Sequence, residues 1–214
     1  MRENCTSGSV WGAPGNVRSY HRGLKNTHME IVLARHGKPK LRHWAWITPR
    51  QMREWIQIYN AAEIFLNEIP LDTVEKASIA GIVVSSTLTR CVQSARALCK
   101  DNSLVIEEMF CEAGLPYGNW NVPKLPLSVW GVLFRLAWFC GYSANSESFV
   151  QAEMRAHSAA GRLVTLAKEN GSVFLVGHGI MTMLIAKQLL SMGWMGPKRP
   201  VNKYWQFSVY YAQA

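Results

Sequence analysis

The chain has 214 residues, of which 49% are hydrophobic and 17% charged, with a formal net charge of +9. This composition excludes a disordered or fibrous protein and suits a single domain with a full core. The basic balance makes an anionic substrate or surface plausible, but no zinc-finger spacing, RNA-binding motif or dense basic helix supports a nucleic-acid partner.

Residues 1–28 carry Arg2, Arg18, Arg22 and Lys25 against a single acid, Glu3, among Gly, Ser, Asn and Pro. They show neither apolar periodicity nor the apolar stretch of a secretory signal. They read as a disordered N-terminal extension, or as sequence upstream of a natural start at Met29. Ile31-Val32-Leu33 then reads as a buried strand ending at Ala34-Arg35-His36-Gly37-Lys38. A helix is expected after Thr48-Pro49-Arg50-Gln51, where an N-cap Thr, a first-turn Pro and a capping-box Gln coincide. Met52, Trp55, Ile56, Tyr59, Ala62 and Leu66 recur on one face of it and are expected in the core.

Gly81 to Ser86 reads as a second strand, running into a helix that carries Arg90. Leu104-Val105-Ile106 is a short third strand. Leu125–Tyr142 is nearly as apolar as a membrane span, but Arg135 lies in its middle. Trp130, Phe134 and Trp138 would share one stripe there. Three readings stand, in order: an aromatic helix packed over the sheet, a substrate lid, and membrane contact. A helix begins around Asn145-Ser146-Glu147-Ser148 and stops at Gly171; His157 on it is read as solvated and given no role. Val173–Val176 is a fourth strand, entering Gly177-His178-Gly179 and a helix to about Met192. Tyr204–Tyr210 would close the sheet at an edge.

Strands alternating with helices predict an α/β fold, a three-layer αβα sandwich with a mostly parallel central sheet. The domain would span residues 29–214, with an aromatic-rich helical insertion at about 115–145. The five cysteines, Cys5, Cys91, Cys99, Cys111 and Cys140, are scattered and odd in number. They read as reduced thiols of a cytoplasmic protein.

Both glycine-flanked histidines fall at the C-terminal ends of strands, where open α/β sheets bind ligands. Phosphoryl transfer to a side chain needs a neutral imidazole whose other nitrogen is fixed, donors for the phosphoryl oxygens, and a carboxyl group for the leaving oxygen. His36 suits the nucleophile, Arg35, Arg90 and His178 the donors, and Gly37 and Gly179 allow close backbone approach.

Arg35-His36-Gly37, Ser85-Ser86-Thr87-Leu88-Thr89-Arg90 and Gly177-His178-Gly179, in this order and strand context, resemble the histidine phosphatase superfamily, the phosphoglycerate mutase-like proteins. The resemblance implies a phosphoglycerate mutase-like fold and a transiently phosphorylated His36. Arg35, Arg90 and His178 would form the phosphate pocket. It also implies an acidic proton donor after the third strand. Glu112 is the best match, with Glu107 and Glu108 as rivals. No metal or other cofactor is expected.

The mutase branch usually follows Arg-His-Gly with a small polar residue and then an asparagine, where this chain has Lys38-Pro39-Lys40-Leu41. It also lacks that branch's arginine-rich stretch. A metal-independent phosphatase is therefore expected, acting on a phosphorylated small molecule or a phosphohistidine protein. Lys38, Lys40, Arg42 and His43 would attract anions at the rim or simply form a solvated loop. Mutase-type phosphoryl transfer and a non-catalytic phosphate-binding scaffold are the alternatives.

Overall fold

A computed structural model describes residues 29–41, 46–66, 69–99 and 104–212. The N-terminal extension, Arg42 and His43 lie outside these described residues. In chain order the elements are β1 (Glu30–Arg35), β2 (Trp46–Ile47), α1 (Met52–Ala61), α2 (Leu71–Ser78), β3 (Ile82–Ser85), α3 (Thr89–Leu98) and β4 (Leu104–Ile106). A 3₁₀ turn (Glu108–Phe110), β5 (Leu125–Pro126), α4 (Leu127–Phe139), α5 (Phe149–Asn170), β6 (Ser172–Gly177), α6 (Gly179–Ser191) and β7 (Phe207–Tyr211) follow.

The central sheet runs β4-β3-β6-β1-β7. All its pairings are parallel except β1 with β7, which closes one edge antiparallel. Its strands are continuous apolar runs because both faces are covered. Ile31, Leu33, Val173 and Leu175 point into a core shared with α5 and α6. Val32, Ala34, Phe174 and Val176 point the other way, onto Ala77 of α2 and Cys91, Ala95 and Leu98 of α3. The result is the expected α/β sandwich of three layers.

Local signals operate as read. Thr48 Oγ accepts the Gln51 N–H at 3.3 Å while the Gln51 amide oxygen accepts the Thr48 N–H at 2.9 Å, a reciprocal cap ahead of α1. A second such pair, Ser148 with Gln151, opens α5, which ends at Gly171.

Two expectations are corrected. The α1 stripe is only partly core: Met52 is fully buried, but the helix ends at Ala61, and Leu66, beyond its end, is exposed. The stripe broke because the chain turns extended at Ala62. α4 does not pack over the central sheet. Trp130 and Phe134 instead form a satellite cluster with Ile47 and Met52, beside the two-residue β2–β5 ladder, and Trp138 alone reaches the main core. No helix among the described residues is long and apolar enough to cross a membrane.

Candidate active site

Parallel register brings the two motifs together. Arg35 pairs with Gly177 across β1 and β6, and the His36 N–H donates to the Gly177 carbonyl at 3.1 Å. His36 and His178 therefore leave adjacent strands side by side, with ring centroids 5.2 Å apart and planes at 61°. Both are buried.

The His36 Nδ1 lies 2.7 Å from the Gly37 carbonyl oxygen. A carbonyl only accepts, so Nδ1 carries the proton and Nε2 keeps its lone pair. Burial, reinforced by Arg90 and Arg35 against the opposing Gly37 hydrogen bond, lowers the His36 pKa to about 3. Burial and then Arg90 likewise hold the His178 imidazole well below its usual range. Both rings are neutral at physiological pH.

Arg90, near the start of α3, has 0% relative exposure. Its Nη1 donates to the Tyr59 carbonyl at 2.9 Å and to Asn60 Oδ1 at 3.3 Å, and Tyr59 stacks on the guanidinium 4.3 Å from the ring centre. Its Nε and Nη2 are buried without a hydrogen-bond partner, and no carboxylate pairs with it among the described residues. Arg35 repeats the pattern: Nη1 donates to the Asn202 carbonyl at 2.6 Å, Tyr204 stacks at 4.3 Å, and Nε is buried and unpaired. Buried cationic N–H groups without partners are costly, and an anion between them removes the cost.

His178 meets the Ser86 hydroxyl through Nε2 at 2.8 Å. Ser86 Oγ also takes the Leu88 N–H at 3.4 Å. Ser86 Oγ keeps a second lone pair, so the contact is compatible with either tautomer of His178; donation by the hydroxyl to Nε2 is the arrangement that leaves His178 an Nδ1–H to offer. Cys91 Sγ lies 3.3 Å from the same Nε2, and complete burial pushes this thiol up to about 12, so it stays protonated.

Glu112 sits at the N-terminus of α6. Its Oε1 accepts the N–H groups of Ile180 at 3.1 Å, Met181 at 2.9 Å and Ala113 at 3.0 Å. These donors fix the position of the Glu112 side chain one residue past the His178–Gly179 turn. Burial raises the Tyr59 phenol above its usual value, opposed by Arg90 and Arg35 and assisted by Tyr204 and Glu112, so all five groups share one electrostatic neighbourhood. The rivals are placed elsewhere. Glu107 is bound to Arg162 at 2.9 Å. Glu108 lines a cavity with Met109, Cys111, Glu147 and Arg155.

The two glycines also make room for neighbouring segments. The Gly37 amide is taken by Ser94 Oγ at 2.8 Å, and a Cβ on Gly37 would enter the Trp205 ring. A Cβ on Gly179 would lie 2.7 Å from Asn202 Oδ1. Both let the segment before β7 close over the site. Trp205, at φ 65°, turns that segment so that Tyr204 faces His36 at 5.6 Å between ring centres. Tyr59, Asn60, Ser86, Tyr204 and Asn202 were not singled out from sequence as functional. Only Ser86, inside the motif around Arg90, carried a signal that was available there. Lys38 lines a cavity of about 470 Å³ with Lys203 and Tyr204.

A neutral imidazole with one free nitrogen, set beside one fully buried and one partly buried guanidinium group, both incompletely paired, at the end of a parallel sheet defines a phosphate-handling α/β protein. The family profile described as histidine phosphatase superfamily (branch 1) matches residues 71–212, and the chain belongs to that superfamily. A search of curated proteins gives no match. Among solved structures, the chain is similar to a mycobacterial glucosyl-3-phosphoglycerate phosphatase, at 21% identity, 77% coverage of this chain, 80% of that one, and a TM-score of 0.51. A protein called mycobacterial hydrolase 2 matches at 21% identity, with 77% and 73% coverage and a TM-score of 0.51. The product of an open reading frame of Mycobacterium tuberculosis matches at 14% identity, with 84% and 89% coverage and a TM-score of 0.50. These likenesses show the fold.

Proposed function

We propose that this protein is a metal-independent phosphatase that hydrolyses phosphomonoesters through a phosphohistidine on His36. The observation that carries the reading is the pair of guanidinium groups, Arg90 fully buried and Arg35 partly so, each with a buried, unpartnered N–H, flanking a neutral His36 whose Nδ1 proton is fixed by Gly37. His36 Nε2 attacks phosphorus as the bond to the leaving oxygen breaks. Arg35, Arg90 and His178 Nδ1–H meet the charge on the phosphoryl oxygens, the role preorganised donors fill best. Glu112 delivers a proton to the leaving alcohol. It then takes one from the water that attacks phosphohistidine, which regenerates His36 and releases phosphate.

The leaving group has room in a cavity of about 200 Å³ bounded by Arg35, His178, Ile180, Thr182, Met183 and Val201. Its mainly apolar walls suit a small phosphorylated metabolite. Lys38-Pro39-Lys40-Leu41, where the mutase branch usually carries a small polar residue and then an asparagine, supports hydrolysis over mutase chemistry, and a phosphatase shares the fold. Cys91, Cys111 and Cys140 are free thiols, which supports a cytoplasmic setting.

The test is turnover of p-nitrophenyl phosphate with and without chelator. Chelator-insensitive release of phosphate, abolished in His36→Ala, is expected, together with an acid-labile phosphoryl adduct in wild type. Phosphate binding without turnover across a broad substrate panel would make the protein a scaffold instead.

A further inference from the structure

α4 is apolar on both faces. Trp130, Phe134 and Trp138, four residues apart, are buried on one side. Val129, Val132, Leu133, Leu136 and Phe139 form the opposite side, at 39–60% relative exposure. Arg135 lies between the two faces and turns back to the Gly114 and Ala113 carbonyls, and a helix with apolar side chains on two opposite faces is ordinarily enclosed by protein or lipid. This one, at 13 residues, spans about 20 Å, short of the roughly 30 Å hydrocarbon core of a bilayer. It can lie along an interface but cannot cross one.

Its surroundings say which interface. No Asp or Glu occurs between Glu112 and Glu147, nor between Glu30 and Glu54. The β2–β5 ladder and the hydrogen bond from the Arg50 N–H to the Trp120 carbonyl join these two acid-free segments beside the start of α4. They contribute exposed Arg50, Arg53 and Lys124. They also contribute Trp46 and Trp120, 63% and 46% exposed, the residue type that favours the headgroup region of a membrane. At the other end of α4, Glu147 and Glu153 are each neutralised by a cation, Arg155 and Lys187.

We infer that the exposed face of α4, together with Trp46, Trp120 and the acid-free cationic segments beside the start of the helix, docks the protein on the surface of an anionic phospholipid bilayer. The aliphatic side chains enter the acyl boundary, the indoles sit at headgroup level and the cations meet lipid phosphates. A second copy is the weaker occupant, because it would bring the same acid-free, cationic surround against itself. α1 ties this helix to the site through its buried side: Met52 packs against Trp130 and Phe134, and Tyr59, about 10 Å further along α1, holds Arg90.

The experiment is co-sedimentation of the full chain with vesicles of pure phosphatidylcholine and of phosphatidylcholine mixed with phosphatidylglycerol. Binding to the mixed vesicles is expected, weakened by added salt, with a blue shift of tryptophan emission that Trp46→Phe reduces. The double variant Val132→Asp with Leu136→Asp is expected to bind roughly tenfold less tightly or worse. Its circular dichroism and melting temperature should be unchanged, since neither side chain is in the core. Arg53→Glu with Lys124→Glu should lose the preference for anionic lipid. The inference is overturned if wild type ignores the mixed vesicles, or if the Val132/Leu136 variant binds them as well as wild type. A concentration-dependent dimer that this variant abolishes, without vesicle binding, would give the face to a second copy.

Discussion

Lowering the pH from 7 to 5 is the most informative perturbation of the site. His36 has a pKa of about 3 in the folded protein against 6.5 in an exposed chain, so the unfolded state binds the proton and the folded state does not. Stability then rises with pH while the unfolded histidine titrates, and it falls on acidification through 6.5 until the folded value is reached. Integrating over pH 7 to 5 gives a loss of about 2 kcal/mol from His36 alone. His178 is shifted in the same direction and adds to the loss. Urea unfolding followed by circular dichroism at intervals across this range measures the slope, and His36→Gln removes the His36 share. The difference between wild type and variant should therefore shrink or reverse toward pH 5, by about 2 kcal/mol across the interval. Parallel pH dependences for the two proteins would refute a buried neutral His36, and with it the argument that the site holds an uncharged nucleophile.

The remaining predictions address the other groups. Arg90→Met should lower kcat/KM by about 3 kcal/mol, over a hundredfold, yet leave the melting temperature unchanged or higher, because the buried guanidinium lacks a carboxylate partner. Inorganic phosphate should raise the melting temperature of wild type and not of this variant; equal stabilisation of both would remove Arg90 from the pocket. Glu112→Gln keeps an oxygen for the α6 amides and should slow alkyl phosphates by about a hundredfold while affecting p-nitrophenyl phosphate far less. The same pattern from Glu108→Gln would move the acid there. Ser86→Ala should cost about 1 kcal/mol of activity and shift the ¹⁵N resonances of His178 away from an Nδ1–H tautomer; unchanged resonances would show that Ser86 does not set it.

What could be read from the sequence was what short-range physics writes there. Short apolar runs, Ile31–Ala34, Ile82–Val84 and Val173–Val176, marked β1, β3 and β6, the capping pair at Thr48 marked the start of α1, and the polar run ending at Ser148 that of α5. The partners of the arginines were not written locally. Tyr59 and Tyr204 stack on Arg90 and Arg35 from segments far away in the chain, and Tyr59 matched a helical stripe expected in the core. Nor does a stripe name its neighbour. Trp130, Phe134 and Trp138 announced a helix with one buried face, but what they bury against depends on β2 and β5, two residues each and too short to leave a pattern.

The site itself was legible because sheet register converts sequence into proximity. The family profile begins at residue 71, after the Arg35-His36-Gly37 segment, so His36 enters the site by another argument. β1 lies between β6 and β7, and its only parallel partner is β6. Two parallel strands that end in Arg-His-Gly and Gly-His-Gly can align so that the histidines emerge level or a residue apart. Level is the register that also keeps Ile31, Leu33, Val173 and Leu175 on one core face, since a slip by one residue would invert one strand against the other. The same apolar alternation that builds the sandwich thus fixes the distance between His36 and His178, and a polar substitution at Leu33 or Leu175 would be expected to damage the site through the core.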